Sequence, residues 1–478
     1  MDPDAPRSVG DLLRRAARRD PSGVALRQGG QSLTWSRLDA AVTAAARQIL
    51  GLGARAGDRV ALSLPPGADL VAGFLGALRA GVVPVVLNPA ATEREVHEIL
   101  ADSGARVRVR AAPVPAPDPP GPAADPRADR TGSQLAVLAY TDGAAGRPRG
   151  VMLPAGALLA NLDQLAAVDP PLLSGSDVLF LPLPLSHVFG LHAGVGLALR
   201  QGASVVLPSA AGFEPAASLA EMAGATVVVG VPAQFAAWLA EPGFAAGFAQ
   251  VRLAVSGSVR LPRSLVSAYA ARGVALREGY GLTEASAVVS VDAGARAVPG
   301  SVGRPLPGIE VQVRDAAGEP ADDGDPGRLF VRGANLFSGY WPGGEDGPGP
   351  DGWFGTGDLA VIGAAGELYL VGRLADVVVV NGFPVYPAEV EQVLGEHPDV
   401  AEVAVVGVPD ERSGEAVRAF VVPRPGASLR VDDLLARAAR SLARFKLPAT
   451  VEVVAALPHT VTGRVRRWAL GTDDDGGR

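Results

Sequence analysis

Val178-Leu179-Phe180-Leu181, Ser204-Val205-Val206-Leu207 and Thr226-Val227-Val228-Val229 are three short apolar runs rich in β-branched residues. Between them lie two helical patterns, Leu191–Leu199 and Glu214–Ala223. A strand–helix–strand repeat with uninterrupted apolar strands is the pattern of a parallel sheet covered by helices on both faces. The same alternation extends towards the N-terminus. There the sequence predicts helices at Ser8–Arg19, Ser36–Leu50, Ala68–Arg79, Glu93–Asp102 and Ala155–Ala167, and strands at Arg59–Leu64, Val82–Leu87 and Leu135–Tyr140. Thr92 and Glu95 form a capping box at the start of Glu93–Asp102. The Pro- and Ala-rich stretch from Ala111 to Arg130 reads as a surface loop. Towards the C-terminus, Ser290 to Val380 becomes short strands and Gly/Pro turns. Helix Ala388–Glu396, strands Val403–Val408 and Ala416–Val422, helix Val431–Leu442 and strand Thr450–Val454 then form a compact α+β unit.

Composition agrees with this layout. A chain of 478 residues is longer than one core fills, and 48% hydrophobic against 19% charged residues marks a packed globular protein. The net charge of -7 gives no electrostatic footing for nucleic acid. There are no cysteines, which excludes disulfides, thiol nucleophiles and Cys-ligated zinc and fits an intracellular, cytoplasmic enzyme. The first ten residues carry no apolar run of the secretory kind. Two charge-free stretches, Val178 to Leu199 and Met222 to Ala240, are interrupted by Pro182, Pro184, Ser186 and His187, and by Gly230, Pro232 and Gln234. They read as buried strand–loop–helix units rather than membrane spans. Lys446 is the only lysine among 43 basic residues, a bias that suggests a GC-rich coding sequence.

The chemistry-bearing residues fall in short motifs. Tyr140-Thr141-Asp142-Gly143-Ala144-Ala145-Gly146-Arg147-Pro148-Arg149-Gly150 follows an apolar strand, where glycines let backbone N–H groups approach phosphate oxygens and Arg149 supplies a cation. Alone it reads more readily as a simple turn, and it lacks the Walker spacing. His187 sits in the apolar loop Leu181–Gly190, where a core histidine is the plainer reading. Gly279-Tyr280-Gly281-Leu282-Thr283-Glu284 follows a strand read at Val274–Arg277 and brings an aromatic face, a hydroxyl and a carboxylate together. Such a set suits a base, a phosphate and Mg2+, or else a strand end with a surface acid. Thr356-Gly357-Asp358 places a carboxylate at a tight turn, fit for ribose hydroxyls. Gly372-Arg373-Leu374-Ala375-Asp376 and Pro458-His459-Thr460-Val461-Thr462-Gly463-Arg464 complete the set. No Gly-x-Ser-x-Gly elbow marks a serine hydrolase, and Gly194-Val195-Gly196 lacks the third glycine of a dinucleotide fold.

In order and spacing these motifs resemble the adenylate-forming superfamily of acyl-CoA synthetases, peptide-synthetase adenylation domains and luciferases, from about Ser8 to Leu470. The resemblance implies an α/β fold: a large AMP-binding domain of packed, mostly parallel sheets with a β-rich subdomain (residues 1–371), and a small α+β lid (residues 372–478). It implies that ATP and a small carboxylic acid give an acyl-adenylate, whose acyl group passes to CoA or to the phosphopantetheine of an acyl carrier protein. Thr141, Gly143, Gly146 and Arg149 would belong to the phosphate loop, with Gly281 in the nucleotide turn. Tyr280 would pack on adenine, Thr283 would contact the α-phosphate, Glu284 would hold Mg2+, and Asp358 and Arg373 would bind the ribose. His187, Val188, Phe189, Ser256, Gly257 and Gly279 would line the acyl site, and Gly382 with Phe383 would flank the pantetheine channel.

Departures from the family pattern lie where phosphate is handled. Asp142 stands for a serine, Ala144 and Ala145 for threonines, Arg149 for a lysine, and Arg464 for the catalytic lysine of the lid. Ala375 takes the hinge position. A carboxylate repels phosphate, and a forked guanidinium does not reproduce the position of a compact ammonium. The resemblance therefore implies a ligase with altered or weakened adenylation. The alternatives are a homologue that binds AMP or an acyl ligand without turnover, or one that uses a pre-activated acyl donor.

Overall fold

The computed structural model describes residues 6–112, 130–142, 148–209, 212–294, 297–322, 324–460 and 463–470, with Asp142 described by its backbone alone. Gly143, Ala144, Ala145 and Gly146 of the phosphate loop lie outside the described residues. The chain divides into two compact units, Met1–Val311 with Val331–Phe354, and Gln312–Phe330 with Gly355–Arg478.

Six parallel strands make the centre of a nine-stranded sheet in the first unit. In spatial order they are Leu276–Tyr280, Leu253–Ser256, Val227–Gly230, Val178–Phe180, Ser204–Leu207 and Val24–Gln28. Antiparallel pieces finish both edges: Gln31–Thr34 beside Val24–Gln28, and Ser290–Val291 then Arg304–Pro305 beside Leu276–Tyr280. Helices Pro215–Glu221, Pro232–Ala240 and Arg263–Ala270 make the crossovers. Their aromatic residues lock one face of the sheet. Trp238 meets Phe235 edge-to-face at 5.3 Å, Phe235 meets Tyr269 at 5.6 Å, and the buried Tyr269 hydroxyl donates to the Phe235 carbonyl at 2.8 Å.

A smaller parallel sheet of Val83–Val86, Arg59–Leu62 and Val107–Val109 packs with helices Trp35–Gly51 and Ala68–Arg79 in the same unit. Gly76 permits the close helix pair: a Cβ there would stand 2.6 Å from Ala45 Cβ and 2.9 Å from the Ala46 nitrogen. The expected capping box is present on helix Glu93–Ser103. The Thr92 hydroxyl accepts from the Glu95 N–H at 3.3 Å and the Glu95 carboxylate accepts from the Thr92 N–H at 2.7 Å. Leu135–Asp142 and Pro148–Pro154 pair antiparallel on either side of the candidate phosphate-loop sequence.

The second unit carries a four-stranded sheet of Glu310–Arg314, Gly327–Arg332, Phe354–Ile362 and Leu368–Arg373, taken in chain order. It ends in a five-stranded sheet of Phe383–Val385, Val378–Val380, Gly414–Pro423, Val400–Asp410 and Thr450–Val453. Helices Pro387–Gly395 and Val431–Ala438 cover that sheet through Val390, Leu394 and Leu434 against Val378, Val405 and Val421. Among the described residues no helix is long and apolar enough to cross a membrane.

Several elements differ from the sequence reading. The helix expected at Leu191–Leu199 is a π-helix over Phe189–Gly196 that continues as an α-helix, Leu197–Gln201. Its wide turns press glycines against neighbours. A Cβ on Gly190 would meet the Pro184 carbonyl at 2.6 Å, and one on Gly194 would meet Leu181 at 2.7 Å. The hairpin Val24–Thr34 escaped notice although Gly29 and Gly30, both at positive φ, signal its turn. The strand expected at Val274–Arg277 runs instead from Leu276 to Tyr280, because Gly279 and Tyr280 pair with Val291 and Ser290. Asp358 lies within strand Phe354–Ile362 rather than at a turn, where it pairs with Arg373.

Candidate active site

The winding of the large sheet locates a crevice before any side chain is considered. Strand Val178–Phe180 is followed in the chain by Ser204–Leu207 on one side, whereas the next strand, Val227–Gly230, lies on its other side. Parallel strands all end on one edge of the sheet, and open α/β sheets take ligands at that edge where the winding reverses. The loop bearing His187 leaves Val178–Phe180 there. Gly257 directly follows Leu253–Ser256, and Gly281 to Glu284 directly follow Leu276–Tyr280. Three motifs separated by about a hundred residues are thus brought to one edge by strand direction alone.

At that edge, the Phe189 ring occupies the space left by Gly257. A Cβ on Gly257 would stand 2.9 Å from two atoms of that ring and 3.7 Å from the Gly279 carbonyl, so Phe189, Gly257 and Gly279 share one wall. The His187 Nδ1 accepts from the Phe189 N–H at 3.2 Å, which fixes the half-buried imidazole beside this wall. Val188 is half-buried next to it. Ser256 is fully buried, and among the described residues its hydroxyl has no hydrogen-bond partner. Its sheet neighbour Glu278 is also buried and accepts from the Leu261 N–H at 3.0 Å, tying the loop after Ser256 to the next strand. Burial pushes the Glu278 carboxyl up to about 7, against opposing help from the Leu261 N–H and the Arg260 charge.

The turn from Gly281 to Ala287 is held in a backbone shape that few sequences allow. A Cβ on Gly281 would fall 1.7 Å from the Ala287 carbonyl oxygen, and Ser286 and Ala287 adopt φ values of 60° and 120°. Asn335 clamps this turn from outside. Its side-chain amide donates to the Ala285 carbonyl at 2.9 Å, and its own carbonyl accepts from the Ser286 hydroxyl at 2.8 Å. Within the turn Thr283 is buried, while Tyr280, Gly281 and Glu284 are half-buried. Thr141 pairs across the phosphate hairpin with Arg149, both on its described stem.

Two residues of this site were missed in the sequence reading, Tyr340 and Asp346. The Tyr340 hydroxyl donates to Glu284 Oε1 at 2.6 Å. The Arg149 guanidinium lies over the Tyr340 ring at 3.5 Å and pairs with Asp346 at 2.8 Å. Burial and the nearby Glu284 charge raise the Tyr340 pKa well above the ordinary phenol value, so the hydroxyl keeps its proton and acts as the donor. Phe337-Ser338-Gly339-Tyr340-Trp341 was the available signal, an aromatic cluster around a glycine. Nothing in its composition pointed to a carboxylate partner 56 residues away.

In the second unit, Arg373 Nε and Asp358 Oδ1 are 3.2 Å apart, with the Asp358 side chain largely covered. Gly382, at φ +81°, makes the turn between strands Val378–Val380 and Phe383–Val385, and the Phe383 ring is exposed beside Phe445 at 5.1 Å. Arg464 is exposed at the end of a turn in which its N–H donates to the Thr460 hydroxyl at 3.1 Å. Lys446, the only lysine, binds both oxygens of Glu389 at 2.7 and 2.8 Å.

Comparison with known proteins accords with this arrangement. The family model for AMP-binding enzymes matches residues 13–341, and the model for the C-terminal domain of AMP-binding enzymes matches residues 389–464. Feruloyl-CoA synthase of an Amycolatopsis species is 35% identical over 475 residues, covering 94% of this chain and 96% of that protein. Long-chain-fatty-acid–CoA ligase of Yersinia pestis is 31% identical over 538 residues, covering 99% and 96%. The ATP-bound crystal structure of MatB from Rhodopseudomonas palustris superposes with a TM-score of 0.87 at 30% identity, covering 97% of this chain and 98% of that one. With both family models matched in order and relatives similar along nearly their whole length, the chain belongs to the AMP-binding enzymes of the adenylate-forming, acyl-CoA synthetase type.

Proposed function

We propose that the protein is an AMP-forming acid–thiol ligase with weakened adenylation. A carboxylate oxygen attacks the α-phosphorus of ATP and pyrophosphate leaves; a thiolate then attacks the acyl carbon and AMP leaves. The thiol is that of CoA, as the names of the relatives support, or the phosphopantetheine arm of an acyl carrier protein. The observation that carries the reading is the edge of the sheet where the acyl wall of Phe189, Gly257 and Gly279 adjoins the turn bearing Tyr280, Thr283 and Glu284. An acyl group against that wall places its carboxylate towards the nucleotide turn, and orientation of this kind is a large share of catalysis between two bound substrates.

Tyr280 covers the base, Thr283 hydrogen-bonds the α-phosphate, and Asp358 with Arg373 takes the ribose hydroxyls. His187, Val188 and Ser256 complete the acyl pocket, and its aromatic and small residues favour an apolar or aromatic acid. Thr141, Gly143, Gly146 and Arg149 face the departing pyrophosphate. Residues 1–371 act as the AMP-binding domain and 372–478 as a lid that turns about Arg373–Asp376, presenting Arg464 for adenylation and Gly382 with Phe383 for thiol transfer.

Mg2+ fits the residues present. Magnesium typically takes one or two carboxylates and draws its other ligands from water and substrate phosphates. Glu284 offers one carboxylate, and among the described residues no group of three His, Asp or Glu forms an all-protein cage. Bound there with ATP, the cation would neutralise phosphate charge.

Weakened adenylation rests on Asp142, Ala144, Ala145 and Arg464, together with the engagement of Arg149 by Asp346. Pyrophosphate release and CoA thioester formation, measured across aromatic and aliphatic acids with AMP binding followed separately, test the proposal. Slow acid-dependent release followed by thioester is the expected result. Nucleotide binding without turnover on any acid would replace the proposal with a non-catalytic homologue, and turnover only from supplied acyl-adenylate would replace it with a transferase.

A further inference from the structure

The Glu284 carboxylate has two oxygens in different situations. Oε1 accepts the Tyr340 hydroxyl at 2.6 Å, whereas among the described residues no hydrogen bond or ion pair reaches Oε2. We infer that Tyr340 is the positioning residue of this carboxylate, holding Oε1 so that Oε2 faces the cation accompanying ATP, and that it couples the phosphate hairpin to that cation. The inference rests on the proposed ligase reading.

Three features make Tyr340 suited to the task. First, its backbone is part of the phosphate hairpin's own framework. The Ser338 N–H donates to the Met152 carbonyl at 3.0 Å and the Trp341 N–H to the Gly150 carbonyl at 2.8 Å, so the segment runs as an added edge along Pro148–Pro154. Second, its turn is tight. Gly339, at φ +104°, faces the Gly344 carbonyl, where a Cβ would stand 2.1 Å away, and the Tyr340 N–H and carbonyl bond Glu345 and Gly344. Third, its ring packs edge-to-face with Phe337 at 5.1 Å and lies under the Arg149 guanidinium at 3.5 Å. A phenol held by two ring contacts and along its backbone aims its hydroxyl with little freedom. Outer partners of metal-binding carboxylates fix the oxygen that meets the metal, and their loss typically lowers metal affinity about 10–100-fold.

The geometry also explains how one residue senses two motifs. Arg149 sits on the outer face of the ring and Glu284 at its hydroxyl. A nucleotide that draws the Arg149 charge towards its phosphates removes a cation from the ring while the hydroxyl keeps its bond to Oε1. Arg149 and Glu284 are thus joined through a single side chain.

Tyr340→Phe keeps the ring and deletes only the donor. Calorimetry on the full chain should show ATP binding in Mg2+ weakened about 10-fold or more, while AMP binding in EDTA changes by less than about 3-fold. Mn2+ titration followed by electron paramagnetic resonance, in the presence of ATP, should report the same loss directly on the cation. In a Glu284→Gln background the Tyr340→Phe change should cost little more, because the carboxylate it positions is gone. Equal losses for AMP and for ATP with Mg2+ would make Tyr340 a packing residue and overturn the inference. Unchanged affinities in both would also overturn it. Wild-type protein that binds neither nucleotide would bring down the ligase reading itself, a result distinct from either variant outcome.

Discussion

His192 and Glu278 are buried ionisable groups on the main sheet's unit that titrate in opposite senses. His192 is 3% exposed within the π-helix, where the Leu158 backbone only partly offsets the burial of its ring. Burial lowers its pKa from 6.5 to about 4, so the folded protein holds it neutral. Between those values the unfolded chain binds a proton that the folded chain refuses. Stability is therefore lost as pH falls from about 6.5 towards 4, by roughly 3 kcal/mol in all. Glu278 behaves in reverse. Its carboxyl is raised from 4.5 to about 7, so stability falls as pH rises through that interval, when the unfolded chain releases a proton that the folded chain keeps. Denaturant unfolding of His192→Leu should show the acid-side loss removed with stability at pH 7 held or raised. An acid limb identical to wild type would refute the assignment. Both groups were invisible in the sequence as ionisable problems, since burial is a property of the folded neighbours.

At the level of elements, the turn after Leu276–Tyr280 is the most constrained piece of the active edge. Gly281 has the Ala287 carbonyl where a Cβ would go, and the two positive-φ residues that follow are held by Asn335. Gly281→Ala should cost about 3 kcal/mol or more, through overpacking against backbone that cannot move aside. It should abolish nucleotide binding with the loss of the turn; a shift in the urea midpoint worth less than 1 kcal/mol would show that the turn relaxes. The motif Gly-Tyr-Gly-x-Thr-Glu lies at the end of one strand, yet that strand was placed too early. Periodicity ends at Arg277, and the pairing that prolongs the strand comes from Ser290 and Val291, beyond any local window. The large helices and parallel strands were readable because their apolar spacing is local. The π-helix and the Val24–Thr34 hairpin were not, because the first depends on glycines meeting distant residues and the second on a two-glycine turn passed over.

The whole molecule was legible in order rather than in any one piece. Each motif alone had a bland reading, and their sequence from Tyr140 to Arg464 gave the family that the comparisons then showed. What could not be read was the coupling between motifs, since Tyr340 and Asp346 act through contacts with residues 56 and 197 positions away. At this scale the proposed lid rotation would use Arg464 in the first half-reaction alone. Removing one preorganised group at a developing charge typically costs about 100–1,000-fold in rate, so Arg464→Lys should raise acid-dependent pyrophosphate release at least 10-fold. Thioester formation from supplied acyl-adenylate should stay within about 2-fold, in keeping with a residue used in only one step. If both rates rise together, or neither rises, Arg464 does not have that role.

The pairing of Lys446 with Glu389 has a consequence for self-damage. Acyl-adenylates are electrophilic mixed anhydrides that acylate free amines, and a protein that generates them is the first amine source they meet. Lysine side chains elsewhere in this chain are absent, and the one present keeps its ammonium in a two-oxygen grip with three quarters of the side chain covered. Mass spectrometry after exposure to an activated acyl ester should find Lys446 unmodified in the native protein and acylated in Glu389→Ala. A ligase of the proposed kind would present a single, paired lysine to its own intermediate.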